Sequence, residues 1–276
     1  MAPVSTTRRN VLAGLAASLG APALAQSAPQ RLPDTETTRA GGLTAWLTDP
    51  TTRYAHGVLG DAIEAGGFVV ERGGRSLHHR LGPDAVFEDR RVRLVDLGGG
   101  SPAALVVKSY LRRGSALAAY AIGEDAISPL AESEAIGTPN RWLNPVGVAD
   151  FTRTGTPLVA AVVTPHIAGS LRLYRREGAR LEEVARLDGV TNHVIGSRDL
   201  DLGRMSDIDG DGVPEIVLPS LDRLRLVAVS FAGGTGRIVA SVPLPAPLIR
   251  LEPMNDARAV VHLQDRRTLT VDLKRS

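Results

Sequence analysis

The chain reads as all-β, and specifically as a β-propeller of five blades with about four short strands each. Three observations point there. First, a pattern anchored on aspartate recurs. Asp49, Asp96, Asp150 and Asp207 each lie nine residues ahead of an apolar position, Val58, Leu105, Val159 and Ile216, at spacings of 47, 54 and 57 residues. Second, runs of alternating apolar and polar residues bounded by Gly, Asp and Pro mark short strands. Third, 29 glycines and 18 prolines supply turn residues throughout. A unit of about 46–57 residues holds four short strands and cannot bury both faces of its small sheet alone. Radial packing around an axis buries both.

From the N-terminus, Thr7-Arg8-Arg9-Asn10-Val11-Leu12 carries twin arginines, and an Ala/Gly/Leu-rich run ends at Ala23-Leu24-Ala25. Residues 1–25 therefore read as a twin-arginine export signal, with Val11 where that pattern prefers Phe. Its apolar run is too short to span a bilayer, which needs about 20 residues. Residues 26–41 are polar, with Pro29 and Pro33, and read as a flexible leader. The propeller is expected over 42–276.

Each unit then follows one scheme. A first run follows the anchor loop: Leu105-Val106-Val107, Leu158 to Val163, Ile216-Val217-Leu218. An alternating strand comes next: Leu117 to Ile122, Leu171 to Tyr174, Leu224 to Val227. Leu181 to Leu187 and Ile238 to Val242 close two of the units. The head is read as Trp46-Leu47, Val58-Leu59 and Phe68-Val69-Val70. The tail is read as Ile249 to Leu251, Ala259 to Val261 and Leu269 to Val271. The tail has one strand too few, and the leader is expected to supply it and close the ring.

One loop carries chemistry. Asp207-Ile208-Asp209-Gly210-Asp211-Gly212-Val213-Pro214-Glu215 crowds four carboxylates into nine residues. At an effective dielectric near 20, each pair about 4 Å apart costs roughly 4 kcal/mol, which a hard divalent cation reverses into attraction. Calcium takes six to eight oxygens in flexible geometry, so alternating carboxylates suit it. An EF-hand needs a bidentate Glu at its twelfth position, which here is Leu218, so the loop joins two strands and not two helices.

That stretch resembles the FG-GAP/VCBS repeat, in which a D-x-D-G-D-G-x-x-[DE] loop between the first two strands of a propeller blade binds calcium. The resemblance implies Ca2+ held by the Asp207, Asp209, Asp211 and Glu215 side chains and the Val213 carbonyl. It is specific only in this unit. The loops at Asp96 and Asp150 keep the anchor and the turn but lack the other carboxylates, which predicts one ion and not five.

Composition excludes several classes. The full chain has 32 basic and 30 acidic residues; without Arg8 and Arg9 the balance is 30 to 30. A neutral chain without a Lys/Arg cluster gives no support for nucleic-acid binding. Cysteine is absent, so there is neither a disulfide nor a lipid-bearing cysteine. No segment after the signal approaches 18 unbroken apolar residues, so no membrane span is expected. No nucleophile elbow, zinc-protease or phosphate-loop motif occurs.

One polar stretch, Thr191 to Leu202, precedes the acidic loop. His193, Arg198, Asp199 and Asp201, with Asn144 six residues ahead of Asp150, form the expected ligand-binding set at the channel rim. The expected protein is thus an exported, monomeric, calcium-stabilised binding or scaffold module for a protein or polysaccharide ligand, with no catalytic residues assigned. A rim hydrolase or lyase using Asp199, Asp201 and His193 is the rival. A sugar-binding lectin is disfavoured by an aromatic content of 4%.

Overall fold

A computed structural model describes residues 1–2, 29–254 and 256–275. Apart from Met1 and Ala2, the expected export signal lies outside the described residues. The chain is all-β, with a strongly curled sheet at its centre. The strands group into five consecutive antiparallel units. Unit 1 holds β1 (Thr38–Ala40), β2 (Leu43–Thr51), β3 (Glu64–Arg72) and β4 (Arg75–Arg80). A short β5 (Ala85–Phe87) follows. Unit 2 holds β6 (Arg93–Asp96), β7 (Pro102–Tyr110), β8 (Gly114–Ile122) and β9 (Ile127–Ser133). Unit 3 holds β10 (Leu143–Ala149), β11 (Leu158–Val163), β12 (Ser170–Glu177) and β13 (Arg180–Asp188). Unit 4 holds β14 (Arg204–Ser206), β15 (Glu215–Pro219), β16 (Arg225–Ser230) and β17 (Arg237–Pro243). Unit 5 holds β18 (Leu248–Leu251), β19 (Arg258–Leu263) and β20 (Thr268–Asp272), and a 3-10 turn, Leu273–Arg275, follows it. β5 pairs with both β3 and β7, and β13 runs parallel to β9, so units 1 to 3 form one continuous sheet.

The period-2 pattern explains the packing. In β7, Ala104 and Val106 face unit 1, whereas Leu105 and Val107 face unit 3. In β11, Val159 and Ala161 face unit 2, whereas Leu158, Ala160 and Val162 face unit 4. In β15, Ile216 and Leu218 face unit 3 and Val217 faces unit 5. A strand buried on both faces reads as an unbroken apolar run, which is how these three strands appear. Four core clusters result, one at each junction between successive units. Each buried Leu, Val or Ile contributes about 1.5–3 kcal/mol relative to exposure.

No core cluster among the described residues joins unit 5 to unit 1. The outer face of unit 5 carries Arg258, Thr268, Thr270 and exposed Val260. That face is polar and open to water. The described part of the leader, residues 29–41, does not complete unit 5. It binds unit 1 instead: Arg31 bridges to Thr48, the Leu32 N–H donates to Leu47 O at 2.9 Å, and β1 pairs with β2. Leu32 is buried at the junction of units 1 and 2.

The reading of unit 1 also needs correction. Its innermost strand is β1, which lies against β6, so the turn equivalent to the anchor loops is Gly41-Gly42. Asp49 lies near the end of β2 with φ +59° and pairs with His78 at 2.7 Å and Arg80 at 2.6 Å. Val58 and Leu59 form a turn rather than a strand, and both are buried against units 2 and 3. The spacing of 47 residues was a coincidence of apolar positions one strand out of step.

Candidate functional site

Chemistry concentrates at the two ends of the curl. One end carries the turns between the first and second strands of each unit. In unit 2, Asp96 accepts the Gly98 and Gly99 N–H groups at 2.8 and 3.1 Å. In unit 3, Asp150 accepts Thr152, Thr154 and Gly155 N–H at 3.1, 3.1 and 2.6 Å. In unit 4, Asp207 accepts Gly210, Asp211 and Gly212 N–H at 2.8, 3.1 and 2.9 Å. These N–H groups hold the Asp96 and Asp207 carboxyls below the usual range. For Asp150, burial works the other way but the same bonds outweigh it.

Of these three turns, the one in unit 4 adds further carboxylates. Oxygens of Asp207, Asp209 and Glu215 lie within 4.8 Å of one another, an arrangement that could hold a metal ion. Glu215, the first residue of β15, is buried and accepts Ile208 N–H at 3.0 Å. Burial first, then the charges of Asp209 and Asp211, push its carboxyl up. Asp211 stands apart from the trio. One of its oxygens accepts Val213 N–H at 2.8 Å, and the other pairs with Arg153 of the unit 3 turn at 2.5 Å.

The opposite end is a rim built from the 52–63 loop, the β5 region and the 189–203 connection. The rim residues named from sequence have separate destinations. His193 is buried: its Nε2–H donates to Ser197 O at 3.0 Å, so Nδ1 accepts from His166 Nε2–H at 2.9 Å. Trp142 packs against both rings. Burial pushes both imidazoles down to about 4, so they are neutral near pH 7. Asp201 binds Arg91 and lies 3.6 Å from Arg204, and Arg91 also pairs with Glu36 at 3.0 Å. Asp199 accepts Asp201 N–H at 2.8 Å. Arg198 bridges Asp34 at 3.0 Å and Asp61 at 3.4 Å. Asn144 donates to Leu200 O at 2.8 Å, and Asn192 donates back to Asn144 O at 2.9 Å. His193, Asp199 and Asp201 therefore do not converge, and the first has both ring nitrogens occupied.

The rim also holds groups that sequence reasoning passed over. Glu64, Glu88 and Asp89 are all buried. Glu88 pairs with His56 Nδ1 at 2.7 Å and accepts from Ser109 Oγ, and Asp89 pairs with Arg93 at 2.6 Å. Glu64 differs from them. Its Oε1 is buried without a hydrogen-bond partner. Burial, then the charges of Glu88, Asp61 and Asp89, push its carboxyl up to about 9. It lines a cavity of about 120 Å³ together with Leu32, Leu59, Ile63, Arg90 and Arg198. The only signal in the sequence was that acids stand directly at the ends of apolar runs, Glu64 before Ala65 and Glu88-Asp89 after Phe87.

Among the described residues, no helix is long and apolar enough to cross a membrane. A scan against protein-family models finds no match, and a search of curated proteins finds no significant one.

Proposed function

We propose that the protein is an exported, calcium-stabilised binding module of the FG-GAP/VCBS propeller kind, with its five units as blades. The observation that carries this reading is the meeting of Asp207, Asp209 and Glu215 oxygens within 4.8 Å on a loop between the first two strands of a unit. Calcium fits that donor set: three carboxylates of a hard oxygen type, with the Val213 carbonyl as a further oxygen. Bound there, the ion would cancel repulsion among these carboxylates and lock the β14–β15 hairpin. Asp211 serves the site less directly, because Arg153 holds it. The burial of β7, β11 and β15 on both faces supports reading units 2 to 4 as blades packed side by side, while no core cluster among the described residues closes unit 5 onto unit 1. A binding role is favoured over catalysis because His193, Asp199 and Asp201 face different partners, while the rim offers a pocket.

The test is calorimetric titration of mature protein with calcium, alongside melting curves in calcium and in chelator. One site per chain and a higher melting temperature in calcium are expected, because a ligand that binds only the folded state stabilises it. Several equivalent sites, or identical melting in both solutions, would refute the assignment.

A further inference from the structure

We propose that the rim cavity over Glu64 is an amine site, taking a primary alkylammonium head group onto the Glu64 carboxylate. The proposal names the ligand class of the binding module argued above and rests on that reading. Three features carry it. Glu64 is 2% exposed and its Oε1 has no partner, although buried carboxyl oxygens are nearly always hydrogen-bonded. The cavity it lines has apolar walls in Leu32, Leu59 and Ile63, which suit a short hydrocarbon stem. At about 120 Å³, it is well below the ~300–1,000 Å³ of a pocket for a whole drug-sized molecule. It takes a head group, not a sugar ring.

The charges around the cavity decide the sign of the ligand. Asp34 and Asp61 are bridged by Arg198, Asp89 is held by Arg93, and Arg90 donates to the Asp34 carbonyl. Three carboxylates thus lie among three guanidinium groups, and Glu88 Oε1 is hydrogen-bonded to His56 Nδ1 at 2.7 Å. Glu64 is the group left over. In the free protein it stays neutral by holding a proton, since its carboxyl is pushed up to about 9. An arriving R–NH3+ offers the missing positive charge. The carboxyl then gives its proton to the buffer, and the ammonium donates to the resulting carboxylate. Near pH 7, binding should therefore release close to one proton per amine.

The rim itself is built to hold this shape. Gly60 has φ +91°, and a Cβ there would lie 2.7 Å from Gly196 O, so the 52–63 loop and the 189–203 connection meet backbone to backbone. The Gly196 N–H donates to Val58 O at 2.9 Å across the same seam. Leu59, Asp61 and Ile63 are thereby positioned against Arg198.

The experiment titrates the full mature protein, in calcium, with n-butylamine in buffers of different ionisation enthalpy. Saturable binding with release of about one proton is expected, with no measurable binding of n-butanol. Glu64→Gln keeps the shape and should weaken butylamine at least tenfold. A lysine-containing peptide distinguishes a free amine from a protein side chain as the source of the head group. No butylamine binding, binding without proton release, or binding unchanged in Glu64→Gln would overturn the proposal. The proton count comes from the unmutated protein, so it decides even if the variant is unstable. If calcium raises melting but the amine fails, only the ligand class falls. If the amine binds and calcium has no effect, the metal assignment falls instead.

Discussion

The turns at Asp150 and Asp207 do the same backbone work with different charge. Each places one aspartate where it accepts three N–H groups of the following residues. Around Asp150 the remaining positions are Thr152, Arg153 and Thr154; around Asp207 they are Asp209, Gly210 and Asp211. The comparison separates two roles that one loop combines. The anchor aspartate shapes the turn, which is why it recurs where the further carboxylates are missing. The added carboxylates in unit 4 each accept one further loop N–H, Asp209 from Asp211, Asp211 from Val213 and Glu215 from Ile208, and together they burden the loop with repulsion unless a cation is present. The two loops also touch, through Arg153 and Asp211.

The largest effect should therefore come from Asp207→Ala, which removes the turn acceptor and a metal ligand together. Its melting temperature in calcium should fall further than that of Asp150→Ala, and the gap between them should close in chelator. Asp150→Ala removes only the turn acceptor. A loss of about 2 kcal/mol is expected, or roughly 4–8 °C for a domain of this size, equal with and without calcium. Equal losses for the two variants in calcium would mean that the unit 4 loop is merely another turn.

This pair also shows what the sequence made legible. The second and third strands of units 2 to 4 and the strands of unit 5 stood out because turn chemistry and period-2 alternation are local, whereas β6, β9, β10 and β14 did not. Unit 1 did not stand out, because its inner strand is three residues long and its turn is Gly41-Gly42 without an aspartate. Asp49 matched the spacing by coincidence, and in the fold it pairs with His78 and Arg80 rather than shaping an anchor turn. The acidic loop could be found because its carboxylates are neighbours in sequence. The Glu64 pocket could not, because Leu32, Glu64, Asp89 and Arg198 meet only through the curl of the sheet. Nothing in local sequence says that Arg198 will lie over Asp61 and not beside Asp201.

The next effect is smaller. Asp209→Ala should leave the turn intact, since Asp209 accepts only Asp211 N–H at 3.1 Å. What it removes is the response to calcium. Exterior calcium sites commonly dissociate at about 10⁻⁴–10⁻³ M, so about 2 mM ion stabilises by about 0.6–1.8 kcal/mol, and that gain should vanish. In chelator the variant should melt at or above the parent, because one repelling carboxylate is gone. A lower melting temperature in chelator would show that Asp209 has a structural role beyond the ion.

The smallest effect tests the link between the two turns. Arg153 and Asp211 are 58% and 37% exposed at their side chains, and an ion pair that open to water is worth under about 1 kcal/mol. Arg153→Ala should therefore shift melting in chelator by no more than a few degrees. Its informative consequence lies in calcium affinity. Arg153 draws an Asp211 oxygen away from the Asp207, Asp209 and Glu215 trio and places a positive charge beside the loop. Removing it frees a fourth carboxylate and removes that repulsion toward the cation, so calcium should bind a few-fold tighter. The gain should shrink as salt rises, because screening weakens exposed charges over about 10 Å at 0.1 M. Weaker calcium binding in Arg153→Ala would mean that the neighbouring turn holds Asp211 in place for the ion, and the two loops would then be one site.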